Sequence, residues 1–276
     1  MSLIDFFTAD PKVTELQVKI LQNTKKYLGY AFKTRDLNEI SLKAPSVTQL
    51  DLSLDPLSAK GPGLDLRCLS FFPRLQSLNV SGQQLMGFEA LTGLNSVTGL
   101  NLGFCLVESL EPLTALPQLT TLNLDGQDVG AVKEFLKCLS LKSFRARKCK
   151  LRELDFLYGV SSLVEIDVCD NNLEVFKETK HLQTLKTLRL SDNMVTDISF
   201  CKNLKSLQIF ECAGNGVTHI SDVEFPYSLE ILDLRNNRIL EIRKLKELRQ
   251  LRRLGILGNP LNEEDLDIFP RNVEIF

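Results

Sequence analysis

The sequence predicts an α/β solenoid, in which short parallel strands alternate with short turns on the opposite side of the sheet. Three observations lead to this fold class. One apolar pattern recurs at a constant step of 22 residues, from "LQSLNVSGQQL" at Leu75 to "LRRLGILGNPL" at Leu251. Apolar residues within each copy alternate with a period of two, which is typical of a strand. Apolar residues after each copy recur every third residue, which is typical of 3₁₀ turns.

Ten copies of the pattern cover residues 47–261. The first copy precedes the second by 28 residues instead of 22, and we place the six additional residues in "AKGPGLD", residues 59–65. We number each copy from its first residue, which is position 1. The ten copies begin at Val47, Leu75, Val97, Leu119, Leu141, Leu163, Leu185, Leu207, Leu229 and Leu251.

Each copy predicts one strand with an inner and an outer side. Positions 4 and 6, such as Leu188 and Leu190, point inward, whereas positions 3, 5 and 7 point outward. Successive copies run in the same direction, so their strands form a parallel sheet that needs a crossover on its far side. The segment "ESLEPLTALPQ" supplies one such crossover, with Leu110, Leu113 and Leu116 three residues apart.

Both ends of the repeat array need caps, because a solenoid leaves its terminal cores open. We predict an N-terminal helical cap at residues 1–46, with a helix over 10–33 that begins at Asp10 and Pro11. The alternating segment "LNEISL", residues 37–42, predicts a strand. A C-terminal cap is expected at 262–276, and the whole chain is expected to form a single domain. The apolar residues of this second cap are Leu266, Ile268, Phe269, Val273, Ile275 and Phe276.

The copies resemble the leucine-rich repeat family, whose motif is L-x-x-L-x-L-x-x-N-x-L. This resemblance implies a right-handed superhelix with a curved parallel sheet on its concave side and short 3₁₀ or helical turns on its convex side. The 22-residue length is similar to that of a nuclear regulatory subunit of protein phosphatase-1, the leucine-rich light chain of axonemal dynein, a spliceosomal subunit and internalins. The resemblance therefore implies a non-catalytic scaffold or regulatory adaptor that holds a protein partner on its concave face.

Position 9 divides the array into two halves. In the C-terminal half the residue is always Asn, at 171, 193, 215, 237 and 259, and its amide can both donate to and accept from the loop backbone. In the N-terminal half the family pattern is replaced by Asp55, Gln83, Cys105, Gln127 and Cys149. We therefore expect a more regular ladder in the C-terminal half.

The outward positions supply the candidate partner-binding residues. Their charges alternate between neighbouring strands in the C-terminal half, so we expect Arg145 between Asn123 and Asp167, and Arg189 between Asp167 and Glu211. Two interpretations remain: a solvated charge ladder of weak pairs, or a true binding face. The candidates are Asn101, Asn123, Asp125, Arg145, Arg147, Asp167, Arg189, Glu211, Asp233 and Arg235.

Partner identity is left open by these residues. The chain has no Trp and no aromatic residue at positions 3, 5 or 7, so the best candidates for binding hot spots are Arg145, Arg147, Arg189 and Arg235. For the phosphatase regulatory subunit, the resemblance implies concave contacts made by acidic residues mixed with exposed aromatic residues. A phosphatase catalytic subunit is therefore kept as an alternative partner, beside a cytoskeletal protein.

Enzyme function finds no support in the sequence. Only His181 and His219 are present; they lie in separate crossovers, and we expect both to be solvated. No zinc, phosphate-loop or EF-hand spacing occurs, so we assign no catalytic residue, no metal site and no cofactor. Cys169 is expected to face the groove, either as a modifiable thiol or as a small filler.

Composition limits the partners and the compartment. The net charge is −2, which argues against nucleic acid or an anionic membrane as the main partner. The basic segment 238–253 is either an anion-binding site, for RNA, phospholipid or tubulin, or a solvated edge, and we favour the solvated edge. The sequence shows no apolar run long enough to span a bilayer, and no secretory signal. We expect a monomer in the cytoplasm, with the nucleus or cytoskeleton as alternatives.

Overall fold

The computed structural model describes residues 2–8, 15–55, 63–105, 107, 109–127, 140–177 and 179–276. These residues fall into two compact units, which we describe separately. The first comprises the described residues up to 127 together with Ser140, and the second comprises residues 141–276. In both units, each of the ten repeats forms a strand at positions 3–5, so the predicted register is confirmed.

The first unit begins with three helices, α1 at Leu3–Phe7, α2 at Glu15–Phe32 and α3 at Leu37–Lys43. The predicted helix over 10–33 is confirmed from residue 15 onward, and residues 10–14 lie outside the described part. The strand predicted at 37–42 is wrong. Asp36 accepts a hydrogen bond from the Asn38 amide and begins α3, in which Ile40 is buried while Leu42 is exposed.

Two small parallel sheets form in the first unit. β1, β3, β5 and β6 pair in the order of the repeats, and β2 pairs with β4 on its own. The predicted 3₁₀ turns are confirmed at Leu66–Phe71, Phe88–Gly93 and Glu111–Ala115, and a further 3₁₀ turn, Ala44–Ser46, precedes the first repeat. The strands are β1 Gln49–Asp51, β2 Leu64–Asp65, β3 Ser77–Asn79, β4 Leu85–Met86, β5 Gly99–Asn101 and β6 Thr121–Asn123.

The second unit contains one parallel sheet in which every described strand pairs with the next one along the chain. Its strands are β7 Ser143–Arg145, β8 Glu165–Asp167, β9 Thr187–Arg189, β10 Ile209–Glu211, β11 Ile231–Asp233, β12 Arg253–Gly255 and β13 Glu274–Ile275. The helical segments are the 3₁₀ turns Asp155–Leu157, Thr179–His181, Ser199–Asn203 and Arg243–Glu247, and α4 at Glu263–Leu266.

β13 was not predicted. It lies in the C-terminal cap and pairs with β12, with Arg253 opposite Glu274 and Leu254 opposite Ile275. This offset is one residue shorter than the 22-residue step. Successive residues of a strand point to opposite faces, so this one-residue difference in offset determines which side chains of the cap face outward. The remaining apolar residues of the cap are partly buried, as the sealing of the last repeat requires.

A left-handed residue ends each repeat strand from the second repeat to the tenth. Position 8 has a positive φ in all nine of these repeats, from Gly82 to Gly258. Asp192 and Asn236 adopt this conformation, and Gly214 has φ 63°, where an added Cβ would lie 2.4 Å from Asp192 Oδ1. The turn directs the side chain at position 9 into the coil.

Position 9 binds the backbone of neighbouring turns, as predicted. Asn237 Nδ2 donates to the carbonyls of Cys212 and Leu234, and its Oδ1 accepts from the Val217 amide. Asn193, Asn215 and Asn259 form the same three bonds with their own neighbours. The ladder is therefore regular over these asparagine repeats, whereas Cys149, at position 9 of the first repeat in this unit, donates to the Arg147 carbonyl of its own repeat.

Candidate functional site

The outward residues at positions 3, 5 and 7 form the exposed face of each sheet, which we call the strand face. In the first unit most side chains of this face are neutral, and those at position 5 form hydrogen bonds with backbone amides of their own repeat. Asn101 and Asn123 each accept a hydrogen bond through Oδ1 from the amide two residues later, and Asp51 and Asn79 do the same. Asp125 is buried, so it adds little to the surface. The two candidate asparagines thus shape the strand ends as well as facing outward.

In the second unit the strand face carries ion pairs. Arg147 holds Asp167 with two atoms, because its Nε lies 2.8 Å and its terminal nitrogen 2.7 Å from Asp167 Oδ2. Burial of Asp167 would raise the pKa of this carboxyl. The guanidinium of Arg147 and the amide of Cys169 outweigh that effect, and the pKa lies below its usual value. Asp167 is therefore a fixed anion that holds Arg147 in place.

Arg189 lies between strands of opposite charge. Its neighbours in strand register are Asp167 and Glu211, as predicted. Its ion pairs, however, are with Glu165 at 2.5 Å and Glu211 at 3.2 Å, because Asp167 is already bound to Arg147. Burial would lower the pKa of Arg189, but these carboxylates outweigh it and raise the pKa.

Arg235, Arg253 and Phe276 form a cluster at the far end of the strand face, which we call the Arg–Phe cluster. The guanidinium carbons of Arg235 and Arg253 lie 4.6 Å and 4.9 Å from the centroid of the Phe276 ring. Asp233 accepts from Arg235 Nε at 2.9 Å and from its terminal nitrogen at 2.7 Å. The ring has room because Gly255 lies beneath it, where a Cβ would come within 3.0 Å of the ring.

The sequence interpretation missed Phe276. On a strict 22-residue step this residue takes position 4 of an eleventh copy, which points inward. The observed offset in β13 places it at position 5, beside Arg235 and Arg253. The strand face therefore does contain an aromatic side chain, although no repeat supplies one.

Three predicted site residues offer less surface than expected. Asp125, Asp167 and Asp233 are all buried, the last two beneath the arginines that they bind. Arg145 is exposed and lies opposite Asp167 in strand register. Arg147, Arg189 and Arg235 are partly exposed, so arginine supplies most of the accessible charge among the candidates.

The basic segment 238–253 is partly neutralised. Lys244 approaches Glu247 at 3.5 Å, Arg252 approaches Glu230 at 3.8 Å and Arg253 binds Glu274 at 2.9 Å. These pairs fit the solvated edge that the sequence favours.

The six cysteines in the described part of the chain are all buried, and the two histidines lie in separate crossovers. Cys169 is buried, and burial raises the pKa of its thiol to about 12, so the interpretation as a modifiable groove thiol is wrong. His181 is also not solvated as expected, because its Nε2 lies 3.1 Å from the Leu157 carbonyl and its ring packs on Tyr158. Within the described residues, no three His, Cys, Asp or Glu side chains are grouped to hold a metal. None of the described helices is long and apolar enough to cross a bilayer.

Two family models match part of the repeat array. A family model described as Leucine Rich repeats (2 copies) matches residues 183–228, and one described as Leucine Rich Repeat matches residues 228–248. No curated protein sequence matches the chain. The structure has the leucine-rich repeat fold, with parallel sheets and short 3₁₀ turns.

Three solved structures show the same fold at low sequence identity. The functional domain of InlJ from Listeria monocytogenes is 21% identical with a TM-score of 0.65, and the match covers 97% of this chain and 54% of that one. An internalin, InlF, from the same organism is 17% identical with a TM-score of 0.55, covering 92% and 87%. The ectodomain of the receptor kinase GASSHO1/SCHENGEN3 from Arabidopsis thaliana is 24% identical with a TM-score of 0.53, covering 76% and 29%. The likeness is one of fold.

Proposed function

We propose that this protein is a non-catalytic interaction module that binds a protein partner on its strand face, with the Arg–Phe cluster as the anchor. The observation that carries the proposal is the pairing of two arginines with one aromatic ring on the strand face. Arginine and aromatic residues dominate the binding energy of protein interfaces. Asp233 and Glu274 hold the two guanidinium groups before any partner arrives, so less side-chain entropy is lost on binding.

An exposed apolar residue adds to the anchor. Leu257, at position 7 of the last repeat, is 55% exposed, and its carbonyl accepts from the Asn236 amide in the turn that follows Arg235. Apolar surface beside paired charges is the usual composition of an interface core and its rim. The same fold holds CASPARIAN STRIP INTEGRITY FACTOR 2 in the plant receptor complex, which supports a role in protein binding. A phosphatase or cytoskeletal partner and a cytoplasmic location stay predictions.

The test is affinity capture with two matched variants from an extract of cells that produce the protein. Leu257→Glu/Phe276→Ala removes the apolar part of the anchor, and Leu240→Glu places the same charge on a leucine that is 65% exposed at position 12, off the strand face. We expect a partner that the wild type and Leu240→Glu retain and that the double variant loses. Capture of the same proteins by all three chains, each with unchanged thermal unfolding, would refute the anchor.

A further inference from the structure

Helix α2 and the residues that follow it concentrate positive charge in the first unit, as the basic segment 238–253 does in the second. Residues 17–35 contain Lys19, Lys25, Lys26, Lys33 and Arg35 and no Asp or Glu. Elsewhere the chain has 28 Lys or Arg against 35 Asp or Glu, a net charge of −7. The positively charged segment 17–35 lies outside the repeats, and it belongs to a different unit from the Arg–Phe cluster.

The orientation of α2 is fixed by hydrogen bonds to the strand beneath it. Asn23 Nδ2 donates to the Gly63 carbonyl at 2.8 Å, and Thr24 Oγ1 accepts from the Asp65 amide at 2.9 Å. Ile20 and Leu28 are buried on the same side of the helix. Because neighbouring positions of a helix point about 100° apart, Lys25, Lys26 and Tyr30 are directed to solvent.

The end of α2 brings two further cations to this surface. The Thr34 amide donates to the Gly29 carbonyl at 3.1 Å, and the Lys33 amide donates to the Tyr30 carbonyl at 3.2 Å. Lys33 has φ 55°, so these bonds form a Schellman motif with lysine at the left-handed position. The motif folds Lys33 and Arg35 back beside Lys25 and Lys26.

These residues line a cavity of about 800 Å³ that is open to solvent. We call Lys25, Lys26, Tyr30, Lys33 and Arg35 the basic helix face. Tyr30 is 60% exposed, and Lys26 Nζ lies 5.6 Å from the centroid of its ring. Among the described residues, the four cations of this face form no ion pair, in contrast to the arginines of the strand face.

We propose that the basic helix face binds an acidic segment of a protein partner. Carboxylates spaced along an extended peptide complement separate lysine charges. Single-stranded nucleic acid requires successive aromatic rings for its bases, whereas Tyr30 is the one exposed aromatic residue described on this helix. A membrane-surface helix inserts large apolar side chains, and the described exposed residues of α2 are cations, polar residues, Tyr30 and Ala31.

The test measures binding of a fluorescein-labelled polyglutamate peptide to the full chain by fluorescence anisotropy. The variant Lys25→Gln/Lys26→Gln/Lys33→Gly removes three charges, and glycine suits the left-handed position of residue 33. The control Arg243→Gln/Lys246→Gln/Arg249→Gln removes three charges from the basic segment 238–253. We expect roughly tenfold weaker binding in the first variant, with the control close to wild type and binding that weakens as salt rises.

Three outcomes would overturn the proposal. If the wild-type protein does not bind the peptide, this face is not a peptide site. The same conclusion follows if the triple variant and the triple control lose affinity equally. Tighter binding of oligouridylate RNA or phosphatidylserine vesicles, with the same dependence on the basic helix face, would assign it to nucleic acid or lipid instead. Thermal unfolding of each variant checks that the fold is retained.

Discussion

The two units bind their turns together with different side chains at the same position. In the second unit, Asn193, Asn215, Asn237 and Asn259 each donate to two carbonyls and accept from an amide of the preceding repeat. In the first unit, Gln83 and Gln127 donate to the Leu52 and Leu102 carbonyls, and Cys105 Sγ donates to the Val80 carbonyl at 3.1 Å. The carbonyls of Leu52, Leu102 and Val80 all belong to position 6 of the preceding repeat.

The shared bond shows which part of the ladder both units keep. Each of these position-9 residues donates to the position-6 carbonyl of the preceding repeat, although a glutamine is one methylene longer and a thiol is a weaker donor. Acceptance from the preceding position-11 amide is found at each asparagine. The hydrogen bond that the position-9 side chain donates is therefore common to both units. The bond that the asparagine Oδ1 accepts makes the ladder of the second unit more uniform.

The strand faces of the two units differ in the same way. In the first unit the polar side chains are tied to backbone amides of their own repeat, and the charged residues described at these positions are Asp51 and Asp125. In the second unit, arginines and carboxylates bridge neighbouring repeats. Substitution of the residues that bridge two repeats, such as Arg147 and Arg189, is thus expected to cost more.

The largest effect is expected from Asn237→Ala. This side chain is buried, donates to the carbonyls of Cys212, Leu234 and Arg235, and accepts from the Val217 amide. Its removal leaves several buried backbone groups without partners, so we expect the free energy of unfolding to fall by about 3–4 kcal/mol. Urea unfolding followed by circular dichroism measures this change.

Gln83→Ala in the first unit is the matched comparison. Gln83 is also buried, but the bond described for its amide is the single one to the Leu52 carbonyl at 2.7 Å. We expect a loss of about 1–1.5 kcal/mol. Equal losses in Asn237→Ala and Gln83→Ala would show that the additional asparagine bonds do not distinguish the units.

An effect that is smaller than that of Asn237→Ala, and that depends on pH, is expected from Arg147→Met. Asp167 then remains buried without its guanidinium partner, which costs about 2 kcal/mol at neutral pH, given that Arg147 itself is partly exposed. In the wild type the pKa of Asp167 is lowered, so its stabilising contribution is present above about pH 4 and is lost as the pH falls through the folded-state pKa. In the variant, loss of the guanidinium raises the pKa of Asp167 above its wild-type value, so protonation relieves the deficit as the pH falls toward about 4.

Urea unfolding of both chains at neutral and acidic pH measures this deficit. Lys244→Met is the control, because Lys244 and Glu247 form an exposed pair at 3.5 Å and each contributes little. We expect less than about 0.5 kcal/mol for the control at either pH. A deficit of Arg147→Met that stays constant with pH would mean that Asp167 is not the group responsible.

The repeat register could be predicted from the sequence, because positions such as Leu188 and Leu190 must all be buried at once. Local patterns were weaker guides: "LNEISL" alternates like a strand, but the Asp36 cap makes it helix α3. Phe276 could not be placed, since its side depends on a one-residue offset in β13. Glu211 was predicted as a neighbour of Arg189, but its second partner, Glu165, was missed. Arg147 binds Asp167 instead, and strand spacing does not determine these side-chain conformations.

The smallest effect, and the one of opposite sign, is expected from Cys105→Asn. Burial raises the pKa of the Cys105 thiol to about 12, so the thiol stays protonated and donates to the Val80 carbonyl. An asparagine here has a second N–H, which can reach the Leu102 carbonyl as Asn193 reaches that of Leu190. We expect the free energy of unfolding to rise by about 0.5–1 kcal/mol.

The same substitution at Cys212, a buried position-6 residue, places an amide in the apolar core and is expected to destabilise the protein by about 2 kcal/mol. A loss of stability in Cys105→Asn would show that the first unit requires cysteine at this position, and that the two ladders are not interchangeable.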